Sequence, residues 1–172
     1  MKSTRQVVVL AMDGASPVLL RQWMADGTLP NLARLQSQAA WGETRSLDGF
    51  YVGSTWPSFY TSASPARHGF HYQLQIDPGT YALREVSRGR LVHARPFWEI
   101  ASEAGRRVAV LDVPLAQPSA ALNGVQVVEW GSHDAINGFA TVPPSLAAGI
   151  LSTYGPHPAG PDCDAHRSEA AH

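Results

Sequence analysis

The feature that most constrains this chain is the unbroken apolar run Val7-Val8-Val9-Leu10-Ala11-Met12, which stops abruptly at Asp13. Runs rich in β-branched residues mark strands covered on both faces, as in parallel sheets, so a buried central strand is predicted over Gln6 to Met12. Active sites of open parallel sheets lie outside the carboxyl ends of their strands, which makes Asp13 the first candidate site residue. A carboxylate there can ligate a divalent metal, act as a base, or cap the following turn or helix through backbone N–H groups. The pair Asp13-Gly14 is also a turn signal in its own right.

Downstream, Ser16-Pro17 supplies a cap and a first-turn proline, and Val18, Leu19, Trp23 and Met24 recur at helical spacing until Gly27. A second helix follows from Leu29-Pro30, with Leu32, Leu35 and Ala39 on one face. A short strand is predicted over Trp41 to Leu47, broken by Asp48-Gly49. Gly53 to Tyr60 reads as a loop entering a short helix with an early proline, ended by Ser64-Pro65. Ala66-Arg67-His68-Gly69 then reads as a loop.

Phe70 to Val92 is irregular around the turn Asp77-Pro78-Gly79, and a hairpin is expected there. A helix over Pro96 to Ala104 leads through Gly105 into a buried strand, Arg107 to Val113. Val125 to Glu129 is a further strand, and Pro143-Pro144-Ser145 opens a helix that Gly155 closes. Buried strands alternating with helices predict an α/β fold, a mostly parallel, doubly wound sheet with helices on both faces. Residues 1–156 are expected to form part of a single α/β domain, with 157–172 an irregular tail or a truncated continuation.

Bulk properties narrow the function classes. The net charge is −1, from 13 basic and 14 acidic residues, so the chain carries no general footprint for duplex nucleic acid or anionic lipid. No stretch approaches the roughly 20 apolar residues of a membrane span, and the start lacks the pattern of a signal peptide. A cytoplasmic location is the resulting expectation. The single cysteine, Cys163, excludes an internal disulfide.

Hydroxyls and histidines complete the candidates. Ser54-Thr55 precedes Trp56-Pro57, where a hydroxyl at a helix start can meet a phosphate or serve as an ordinary N-cap. Trp130-Gly131-Ser132-His133-Asp134 follows a strand, so His133 and Asp134 can act as a ligand or acid/base pair, or as a plain loop. Asp162, Asp164 and His166 have a chelating order but no strand context to hold them.

Several of these segments together resemble a family. Val8-Val9-Leu10-Ala11-Met12-Asp13-Gly14, Leu29-Pro30-Asn31-Leu32 with Leu35, Thr55-Trp56-Pro57-Ser58-Phe59-Tyr60-Thr61 and Ser64-Pro65-Ala66-Arg67-His68-Gly69 occur in this order. Phe97-Trp98-Glu99-Ile100 through Gly105 to Val108-Ala109-Val110 and Pro114 extends the set. The series is similar to the amino-terminal part of the type I phosphodiesterase/nucleotide pyrophosphatase group of the alkaline phosphatase superfamily.

The resemblance implies an alkaline-phosphatase-like fold and a two-metal hydrolase, usually of zinc, in which a threonine or serine attacks phosphorus. It implies Asp13 as metal ligand and Thr55 as nucleophile and metal ligand. His68, in the Pro-x-x-His-Gly turn, would support the site without binding metal, and Gln73 falls near an amide that holds a phosphoryl oxygen. Two positions depart from the pattern: Ser58 stands where asparagine is frequent, and Ser62 where glycine is usual. The family's remaining ligands, an Asp-x-x-x-His element, an Asp-His pair and a late histidine, find no convincing counterpart in these 172 residues.

The expectation is therefore an amino-terminal portion of a metal-dependent hydrolase of small phosphoesters, nearly inactive alone for want of donors. Two zinc ions would belong to the full-length enzyme. A non-catalytic binding or interaction module on the same fold is the alternative, with self-association through an exposed sheet edge. A nucleotide-binding or receiver-like domain is weaker, since no glycine-rich phosphate loop follows the first strand.

Overall fold

A computed structural model describes residues 6–45, 48, 53–72, 74–85, 94–131 and 138–157. The chain divides into two compact units, Met1–Arg45 and Ser46–His172.

The first unit is a helical pair. Helix α1 (Pro17–Ala25) starts where Pro17 fixes its first turn, and the Ser16 hydroxyl accepts the Leu19 N–H at 3.4 Å. Gly27, at a φ of 85°, lets the chain reverse, and helix α2 (Pro30–Gln38) follows. The turn is tied by the Leu29 N–H donating to the Trp23 carbonyl at 2.8 Å, and an Arg21–Glu43 ion pair links α1 to the segment after α2.

The strand expected over Gln6 to Met12 is not formed. That stretch is irregular, and Val7, Val8 and Leu10 are 85%, 78% and 89% exposed. A strand exists only as a member of a ladder, and among the described residues nothing pairs with this run. Residues 41–45 likewise carry no strand, against the expectation for Trp41 to Leu47, for the same reason.

The second unit holds the sheets. Helix α3 (Thr55–Thr61) and the single turn α4 (Pro65–His68) come first, the latter in place of the expected loop. The hairpin is present as β1 (Leu74–Ile76) and β2 (Leu83–Glu85), antiparallel with Gln75 opposite Arg84. Helix α5 (Phe97–Glu103) ends before Gly105, and β3 (Val108–Leu111) pairs in parallel with β4 (Gly124–Val128). A third strand, β5 (Ala140–Val142), lies outside the elements the sequence predicts and pairs antiparallel with β4 before helix α6 (Leu146–Tyr154). The described sheet of order β3-β4-β5 is thus mixed, within an α/β architecture. At three residues β5 is too short for alternation to register in the sequence.

Packing explains where α3 sits. Tyr60, Trp98, Val110 and Ala116 form a buried cluster, with Trp56, Val113 and Leu122 against it. The rings of Tyr60 and Trp98 lie 5.1 Å apart, and the Tyr60 hydroxyl donates to the Leu115 carbonyl at 3.1 Å. Burial pushes the Tyr60 phenol far above its ordinary pKa, so it stays a neutral donor. Gln126, wholly buried in β4, is satisfied at both ends: its Oε1 accepts the Ser119 N–H and its Nε2 donates to the Gln117 carbonyl, each at 2.9 Å.

Candidate functional site

Residues 53–70 carry the most ordered set of candidate groups. Ser54 is the N-cap residue of α3, yet its side chain makes no capping hydrogen bond and is 1% exposed. Thr55, the first helical residue, is exposed, and its hydroxyl has no hydrogen-bond partner among the described residues. Of the two adjacent residues, only Thr55 is open to solvent. The plain N-cap role open to this pair is not taken by the Ser54 side chain.

The helix continues with a buried Pro57 and Tyr60 facing the core, while Phe59 is 51% exposed. Phe59 meets Trp56 and Phe97 edge-on at 6.2 and 6.1 Å, an apolar wall on the flank of the helix that begins at Thr55. Thr61 ends the helix with its hydroxyl on the Pro57 carbonyl at 2.6 Å. Ser62 then adopts a left-handed conformation, φ 55° and ψ 30°. That is the backbone reason for glycine to be usual at this position.

His68 closes the turn below α3. It is 0% exposed, its Nδ1 accepts the Phe70 N–H at 3.1 Å, and its Nε2 lies 2.9 Å from the Ser58 hydroxyl. Burial, with a smaller contribution from the charge of His71, holds its pKa below the ordinary histidine value.

Asp13 lies in the other unit, in the turn after residues 6–12, with its Oδ1 accepting the Gly14 N–H at 3.1 Å. Asp13-Gly14 itself forms a turn. Gln73, His133, Asp134, Cys163, Asp162, Asp164 and His166 lie outside the described residues. Near the first of these, Gln75 has a buried Nε2 without a partner among the described residues.

Two carboxylates that sequence reasoning passed over occupy the strand ends it had pointed to. Asp112, just beyond β3, accepts the N–H groups of Trp130 and Gly131 at 2.9 and 2.8 Å. Glu129, 6% exposed just beyond β4, accepts the Gly138 N–H. Both residues have positive φ, 52° and 51°. The signal was available, since Leu111-Asp112 repeats the pattern Met12-Asp13, an apolar run ended by aspartate. Asp112 and Glu129 stitch the sheet's carboxyl edge to the loop beyond β4.

Among the described residues no group of three or more His, Cys, Asp or Glu could hold a metal ion. Asp13 in the first unit and Thr55 in the second each offer an oxygen donor of suitable type, and within its own unit neither belongs to a set of the three protein ligands a catalytic zinc takes. The described residues therefore do not fit a two-metal centre. No helix among them is long and apolar enough to cross a membrane.

The sequence model of the type I phosphodiesterase/nucleotide pyrophosphatase family matches residues 7–150. No curated protein matches the chain significantly, and no solved structure does.

Proposed function

The chain belongs to the type I phosphodiesterase/nucleotide pyrophosphatase family, and from that premise we propose that it contributes the nucleophile-bearing part of a hydrolase of small phosphoesters. The observation that carries the reading is the exposure of Thr55, a hydroxyl-bearing residue at the start of α3, inside the matched region. In this reading Thr55 Oγ attacks phosphorus, the oxygen–phosphorus bond to the leaving alcohol breaks, and the threonine proton passes to solvent. Water then cleaves the phosphothreonine ester and restores the hydroxyl.

The family reading includes divalent metals, with zinc as the ion and Asp13 and Thr55 as this chain's donors. Metal would supply charge neutralisation at phosphorus. Because the donors described are too few, no step is derived through it, and slow turnover of these 172 residues by themselves is part of the proposal. The doubly wound alkaline-phosphatase-like sheet, with residues 1–156 in one domain and Gln73, His133 and Asp134 near substrate, belongs to the same reading. The non-catalytic alternative draws on the same shortage of donors.

The test is a pre-steady-state assay with an aryl phosphodiester and added divalent ions. The expected result is a slow burst of aryl alcohol, at most one equivalent, retained by Thr55→Ser and absent from Thr55→Ala. A burst that Thr55→Ala leaves intact, or no burst from the wild type, would remove Thr55 as nucleophile. Sustained zinc-dependent turnover that Asp13→Ala abolishes would instead overturn the shortage of donors.

A further inference from the structure

We propose that His68 is a positioning residue for Thr55, fixed as the tautomer that carries its proton on Nε2 and donates it to Ser58. The inference rests on Thr55 as the reacting hydroxyl, but its geometry is independent of that reading. A backbone N–H can only donate, so the Phe70 N–H at 3.1 Å requires His68 Nδ1 to be an unprotonated acceptor. The ring proton then sits on Nε2, and the 2.9 Å contact with Ser58 runs from nitrogen to the hydroxyl oxygen.

This polarity is opposite to that of a nucleophile and its general base, where the hydroxyl donates to an unprotonated ring nitrogen. Ser58 is therefore not activated by His68. The contact works as an anchor.

The anchor acts on both sides of Thr55. Ser58 lies three residues further along α3, with its N–H bonded to the Ser54 carbonyl at 3.0 Å, so holding Ser58 holds the first turn. On the other side, Phe70 is 0% exposed and packs against Gly53, where an added Cβ would stand 3.0 Å from its ring. Gly69, at a φ of 78°, makes the turn that aims the Phe70 N–H back at the His68 ring. A helix of seven residues has little stability of its own, and here its start is gripped from outside.

The arrangement also gives a part to the departure at position 58. An asparagine there can accept the same Nε2 proton through its side-chain oxygen, whereas alanine cannot. His68 itself, being fully buried, is a poor site for truncation, so Ser58 is the residue to vary.

The experiment combines side-chain nitrogen NMR of the full chain with substitution at Ser58. The expected spectrum at neutral pH has His68 Nε2 protonated and Nδ1 unprotonated. Ser58→Ala should speed amide exchange at position 58 about tenfold and slow the aryl alcohol burst by about the same factor, the worth of one hydrogen bond. Ser58→Asn should restore both. A proton on Nδ1, or Ser58→Ala leaving exchange and burst unchanged, would overturn the proposal. If Thr55→Ala keeps the burst while the tautomer and exchange results hold, the Thr55 reading fails and the anchor stands.

Discussion

At the scale of single residues, two positions near Thr55 carry measurable consequences. Ser62 holds a left-handed backbone that costs a side-chain-bearing residue about 1 kcal/mol more than glycine. Part of that gain is returned through the freer unfolded chain, so Ser62→Gly should raise the urea unfolding free energy by about 0.5 kcal/mol. His68 is neutral when folded, its pKa held down first by burial and then by His71. As pH falls below about 6.5 the unfolded chain takes up a proton that the folded chain refuses, so stability declines with acid and levels off below the folded pKa. Urea midpoints between pH 7.5 and 5 should follow that direction in the wild type and flatten in His68→Gln. Thr55 was legible from sequence as a hydroxyl before an aromatic-proline pair; its accessibility, against the burial of Ser54, was not, because adjacent residues of one type differ only in where the fold points them.

At the scale of elements, helices α1, α2, α5 and α6 were legible because prolines, glycines and apolar spacing agree at their ends. The strand over Gln6 to Met12 was not correctly read. Apolar content states only that a segment gains by burial, while strand formation also needs a neighbour with free N–H and C=O groups. The parallel pair β3–β4 has that neighbour, and its register depends on Gly124. A Cβ at Gly124 would fall 1.8 Å from the Val108 carbonyl oxygen, with φ at 152°. Gly124→Ala should therefore cost on the order of 3 kcal/mol and break the pairing of Val108 with residue 124, seen as lost amide protection along β3. Gln126 was hidden for a different reason: a polar residue inside a strand reads as solvent-facing, and only the Gln117 and Ser119 backbone groups account for its burial.

At the scale of the whole molecule, the exposed run from Val7 to Leu10 combines β-branched residues with no charge, and β3 pairs only with β4 among the described residues. Such surfaces seek partners. Sedimentation velocity should show mass rising with concentration, and Val8→Lys should reduce the rise. The family match joins this run, α3 and the β3–β4 pair in one region, and the proposed chemistry hangs on one hydroxyl within it. The most direct measurement is peptide-mapped mass spectrometry after incubation with an aryl phosphodiester and divalent ions. The account predicts a single phosphoryl adduct on Thr55, lost in Thr55→Ala. An adduct on Ser54, Ser58 or Ser64 with Thr55 unmodified would contradict it.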